Sequence, residues 1–147
     1  MSSTDFFKKP DQQIESARDN KIAAEHISKT NLDYLAEIIL RIKPVAEGYA
    51  SELKQREIMV DLKSSKHSIT FSMKYKDGGH HSLTLGSSHS DNRIEITGNY
   101  TNDDGRPYSS TDGKSYDQTN WSDDIYKEKL EKCIEDFIFY ASRHGGI

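Results

Sequence analysis

The hydrophobic residues of this chain change their period once, and the change divides it into a helical part and a sheet part. Leu32, Leu35, Ile38, Ile39, Ile42, Val45, Ala46, Tyr49 and Leu53 follow the three-and-four spacing that lays one helical face against a core. Thr30 or Asn31 can cap this helix. Pro44 lacks an N–H, and its ring crowds the preceding turn, so a kink or break is predicted near residues 42–44. Ahead of it, Ile14, Ala17, Ala24 and Ile27 form a thinner stripe crowded by charge, which predicts a weaker N-terminal helix begun at Pro10 and Asp11. Residues 1–9 are expected to be a flexible tail before a single domain spanning 10–147.

From Ile58 the period is two. Ile58, Val60 and Leu62 alternate, then Ile69, Phe71, Met73 and Tyr75, then Leu83 and Leu85, then Ile94 and Ile96, which predicts four strands. Their links, among them the turn-forming Asp77-Gly78-Gly79, are too short for a parallel crossover, so the strands form an antiparallel meander. Ser68, Thr70, Ser72, Lys74, Ser82, Thr84, Arg93, Glu95 and Thr97 alternate with the apolar positions and supply a polar face.

Residues 98–120 hold no aliphatic side chain, and Tyr100, Tyr108 and Tyr116 recur at equal spacing among Gly, Ser, Thr, Asn and Asp. This segment is expected to be a long polar loop or an irregular hairpin adding a fifth strand. Ser122 then caps a last helix with Asp123 and Asp124 in its first turn, and Trp121 is expected to pack on Tyr126. That helix buries Tyr126, Leu130, Cys133, Ile134, Phe137, Ile138 and Ala141 and stops at Gly145-Gly146. The predicted fold class is α+β, a two-layer domain. Its antiparallel meander of four to five strands packs against a kinked central helix and a C-terminal helix, with the weaker N-terminal helix beside them.

Composition narrows the function classes. Ile, Leu, Val and Phe make up only 29 of 147 residues, so the core is modest. Every uncharged apolar run, residues 38–40 among them, is far short of a membrane span. The first residues lack the basic-then-apolar order of a secretory signal, and Cys133 is the single cysteine, so a reducing, cytoplasmic setting is expected. Residues 1–98 carry 14 basic and 14 acidic side chains, whereas residues 99–147 carry 6 and 10, which puts the whole net charge of −4 in the last third. An acidic edge of this kind disfavours nucleic acid and suits a basic partner.

Candidate chemistry is sparse. Of six histidines, His80 and His81 are adjacent and point to opposite faces of a strand. Only an approach of His67 and His89 to them could gather a metal cluster, and the histidines are expected to be mostly solvated. One cysteine on an apolar helix face cannot supply a structural zinc set, and such a thiol reads as inert core. Gly113-Lys114-Ser115 ends like a phosphate loop, but Tyr108 stands where that loop needs glycine. The segment around Gly105 lacks the ligand pattern of a calcium loop. Asp61-Leu62-Lys63 has the acid-x-lysine ending of a nuclease superfamily, without an earlier strand to complete it.

No catalytic residue, metal site or cofactor is assigned on this basis. The sequence is read as a non-enzymatic protein-binding module, such as an inhibitor, immunity protein or adaptor. It would contact a protein partner with a basic surface through Tyr100, Asp103, Asp104, Tyr108, Asp112, Tyr116 and Asp117, or through the polar sheet face. The alternative is a metal-dependent hydrolase or nuclease using His67, His80, His81 or His89 with Asp61 or Asp91. A third reading is a small-ligand binder whose pocket opens between the kinked helix and the sheet at Pro44 and Gly48.

Overall fold

Between Pro10 and Pro44 the chain contains neither glycine nor proline, and the backbone there never leaves the helix. In the computed structural model, which describes residues 3–87 and 92–147, a single helix α1 runs over Ser3–Gln55. The two helices expected from the sequence are therefore one, and residues 3–9, expected as a tail, lie within it. Thr30 and Asn31 are interior residues and not a boundary, because a capping residue ends a helix only when the backbone turns away from it.

Pro44 does not break α1 either. It lies on the side opposite the buried stripe of Leu35, Ile38, Ile39, Ile42 and Ala46, and the carbonyl it leaves unpaired belongs to the exposed Leu40, where water can satisfy it. The helix stops at Glu57, whose left-handed backbone (φ 62°) lets the Ile58 N–H reach back to the Leu53 carbonyl at 3.1 Å. Leu53 and Ile58 are both buried beside this reversal.

Five strands follow as an antiparallel meander in chain order: β1 (Met59–Ser65), β2 (Ser68–Lys74), β3 (His80–Ser87), β4 (Ile94–Thr101) and β5 (Pro107–Thr111). The segment 98–120 thus forms the end of β4, a turn, and a fifth strand. Register places Val60, Met73, His81 and Tyr100 in one row of one face, and Leu62, Phe71, Leu83, Gly98 and Ser110 in the next. Helix α2 (Asp123–Phe139) begins at Ser122, whose hydroxyl accepts the Asp124 N–H, and passes through the 3₁₀ turn Ala141–His144 to Gly145, which has φ 77°. Trp121, expected against Tyr126, packs edge-on against Tyr116 with ring centres 5.4 Å apart.

The two helices lie on the same face of the sheet, α1 chiefly over β1 and β2 and α2 over β3. The core is the space between, filled by Leu35, Ile38, Ile42, Phe71, Met73, Leu85, Tyr126, Leu130 and Phe137. Tyr75, just after β2, is sandwiched between Phe137 at 4.2 Å and His144 at 4.4 Å, and its hydroxyl donates to the Phe137 carbonyl. Among the described residues no helix is long and apolar enough to cross a membrane.

A candidate binding cleft between the fourth and fifth strands and the last helix

Two helices cannot roof five strands. Strands are spaced about 4.8 Å apart and packed helices about 8–10 Å, so each helix covers roughly two strands. The uncovered part is the core-side face of the end of β4 and of β5, where residues 98–120 supply no aliphatic side chain to bury, whereas Ile94 and Ile96 at the start of β4 are buried. There the sheet and α2 diverge around a cleft of about 560 Å³. Leu83, Ile96, Gly98 and Cys133 form its floor, with rings of His81, Tyr100 and Tyr140 at one end.

Ion pairs tie the helix side to the strand side around the rim. Arg143 reaches Asp103 at 3.1 Å, and Lys129 lies 3.8 Å from Asp112, while Lys132 pairs with Asp136 along α2 at 2.8 Å. Arg143 also lies over the Tyr140 ring at 5.1 Å. Each rim cation has a carboxylate, so the cleft has little net charge. The exposed Arg143–Asp103 pair orients the two walls more than it stabilises the fold.

The residues singled out in the sequence divide into two groups. Tyr100, Asp103 and Asp112 line the cleft, and Tyr108 stacks on Tyr100 with ring centres 5.6 Å apart. Both rings remain open to solvent, Tyr100 by 36% and Tyr108 by 42%. Asp104, Tyr116 and Asp117 do local structural work instead. Asp104 accepts the Arg106 N–H in the β4–β5 turn, and Asp117 accepts from the Thr119 N–H and hydroxyl. Hydrogen bonds from Thr119 hold the Asp117 pKa below the usual carboxylate value. Tyr116 is buried, donates its hydroxyl to Asp112, and has its pKa pushed up to about 12, chiefly by burial.

The acidic edge is accordingly less open than the sequence implies. The Asp112 side chain is only 7% exposed, and Asp123 accepts from two guanidinium nitrogens of Arg41, Nε and Nη2, which with the Trp121 N–H depresses its pKa despite partial burial. These acids meet Arg41 of α1, Lys129 of α2 and Arg143 of the 3₁₀ turn in space only when the chain folds.

Two histidines are buried and not solvated. His144 is 3% exposed and bonds Asp77 at 2.9 Å, and His81 is 8% exposed on the core-side face. His81 meets the rings of Tyr75, Tyr100, Phe137 and Tyr140 with centres 5.7–6.3 Å away, and no hydrogen bond to it is formed among the described residues. Burial lowers its pKa, partly offset by nearby Asp136. Its place was signalled by alternation, since His81, Leu83 and Leu85 share one face of β3. Tyr140 and Arg143 carried no such signal, because their position depends on how α2 ends.

The other candidate sites are not assembled in the same way. His67 precedes β2 and His80 pairs with Lys74 at its far end, so the strand's length separates them, and His80 turns to Thr101 on the opposite face from His81. His89 and Asp91 lie outside the described residues. Among the described residues no group of three metal-ligating side chains converges. Cys133 is part-buried, and burial pushes its thiol up to about 12. A shallow groove does lie between α1 and β1 beside Pro44 and Gly48, but its walls are Lys43, Glu47, Lys54, Asp61 and Lys63, all exposed.

Apart from the exposed Met59 of β1, the outer sheet face is polar. Thr70, Thr84, Thr97 and Thr111 stand in one cross-strand row, and Ser72, Ser82, Asn99 and Ser109 in the next. Thr70 and Thr84 share a hydrogen bond of 2.9 Å, so part of this hydroxyl surface is satisfied internally. No protein-family model matches the chain, and neither a curated protein nor a solved structure is significantly similar to it. The cleft and its hairpin are therefore read from their own geometry.

Proposed function

We propose that this protein is a non-enzymatic protein-binding module that holds its partner through the β4–β5 hairpin and the cleft behind it. The observation that carries the reading is the pair of stacked, solvent-open tyrosines, Tyr100 and Tyr108, on the one part of the core-side face that neither helix covers. Rigid amphipathic rings among small polar residues supply contact area at low entropic cost, which is the composition of adaptable recognition surfaces. Asp104 and Asp124 remain exposed at the margin and favour a partner with basic residues at its rim. An inhibitor, an immunity protein or an adaptor would each work in this way, and the binding geometry is common to all three.

The test is affinity capture from the native host by three immobilised proteins: wild type, the Tyr100→Ser, Tyr108→Ser variant, and an outer-face variant Thr84→Lys, Thr97→Lys. A partner retained by wild type and the outer-face variant, and lost from the tyrosine variant, supports the hairpin. Retention by the tyrosine variant with loss from the outer-face variant moves the contact to the hydroxyl-bearing face.

A further inference from the structure

We infer that the cleft is a socket for a neutral aromatic ring with a hydrogen-bonding edge, a tyrosine side chain carried by the partner, laid over Gly98 with its hydroxyl at His81. This rests on the protein-binding reading and names what the partner inserts. Two independent features point to an occupant.

The first is Gly98. It sits inside β4, where glycine weakens a strand, and nothing in the backbone requires it, since its φ is not in the left-handed region. A Cβ added there would come no nearer than 3.6 Å to the Ser110 hydroxyl, an ordinary contact. The residue is therefore dispensable to the fold as a glycine, and what its missing side chain leaves is an open floor between Leu83 and Ser110. Glycine inside a strand often marks a place where a ligand comes close.

The second is His81, which is 8% exposed, lines the cleft and makes no hydrogen bond among the described residues. Among the described residues the one enclosed side-chain polar atom without a partner is the Tyr126 hydroxyl, so the unpaired His81 ring is reached from the cleft it lines and stays open to a hydrogen-bonding guest. Burial keeps this imidazole neutral at physiological pH, able to accept from a phenol hydroxyl at one nitrogen. Tyr100 and Tyr140 flank it with centres 5.7 and 6.3 Å away, and aromatic walls favour an aromatic guest. The paired rim charges of Arg143 with Asp103 and Lys129 with Asp112 leave no free ion for a charged one.

The probe is N-acetyl-tyrosinamide, with N-acetyl-phenylalaninamide as its partner lacking the hydroxyl, titrated at millimolar concentration against isotope-labelled protein. Saturable shifts are expected in the His81 ring and in the Gly98 and Tyr100 amides. Binding of the tyrosine amide should be tighter by about three- to tenfold, the worth of one hydrogen bond. Gly98→Val should abolish both titrations while the thermal midpoint holds or rises, and Gly98→Ala serves should valine perturb the fold. His81→Phe should remove the preference between the two probes. Absence of saturable shifts, or the same titration in the Gly98 variants, overturns the socket. Loss of the socket alongside retained capture of a protein partner leaves the binding module standing, and probe binding without any captured partner removes the module and keeps the cleft.

Discussion

The helix-covered side of the sheet and its uncovered side are built from the same alternating strands, yet they differ in what stands behind them. Over β2 and β3 the inward residues Ile69, Phe71, Met73 and Leu85 are fully buried beneath the helices. Over the end of β4 and β5 the alternation continues as Gly98, Tyr100, Tyr108 and Ser110, of which Gly98, Tyr100 and Ser110 line a cleft and Tyr108 stacks on Tyr100. Where burial is complete, side chains are chosen by packing. Where it is withheld, rings and hydroxyls take the same positions, and such residues serve contact with another molecule better than they serve stability.

The contrast is broken most directly by equal truncations on the two sides. Phe137→Ala removes a fully buried ring stacked on Tyr75 and should cost about 3–5 kcal/mol in chemical denaturation. Tyr108→Ala removes a ring of similar size from the open side and should cost no more than about 1 kcal/mol. Similar losses at the two positions would mean that β4–β5 is an ordinary part of the core.

A smaller effect sharpens the picture within the covered side. The Tyr126 hydroxyl is buried with no hydrogen-bond partner among the described residues, and burial raises its pKa. Tyr126→Phe removes an unpaired polar atom and should raise stability by roughly 1 kcal/mol, read as a higher denaturation midpoint at unchanged slope.

Much of this arrangement was legible in the chain. The switch from helical to alternating period located four strands, and short links fixed them as antiparallel. The turn glycines and Ser122 marked the ends of β2 and α2. What escaped was tertiary. Thr30-Asn31 resembles a cap, but no helix breaker lies between Pro10 and Pro44, and Pro44 is tolerated because it lies on the solvent side of α1. The acidic residues of 103–123 read as an open edge, since nothing local reveals that Arg41, Lys129 and Arg143 fold against them. The cleft itself follows from the count of helices against strands, and neither helix announces which strands it will cover.

Titration offers a further test at His81. Its folded pKa is held below the ordinary 6.5 by burial, so between the two values the unfolded chain binds more protons. Stability is therefore full above about pH 6.5 and falls as pH drops toward the folded value. His81→Phe should flatten that part of the stability curve, measured against wild type by urea unfolding across the acid range. An unchanged slope would remove His81 as its cause. The smallest effect is expected from Asp104→Lys, an exposed turn residue, which should leave stability within about 0.5 kcal/mol while slowing association with a basic partner at low salt.

The most direct measurement places a photo-crosslinking amino acid at Tyr108 in one protein and at Ser72, on the outer face, in another, and irradiates both in the native host. A covalent adduct to a protein partner from position 108, with none from position 72, is the expected result. An adduct from position 72 alone would contradict the assignment of the uncovered β4–β5 side as the place where this protein binds.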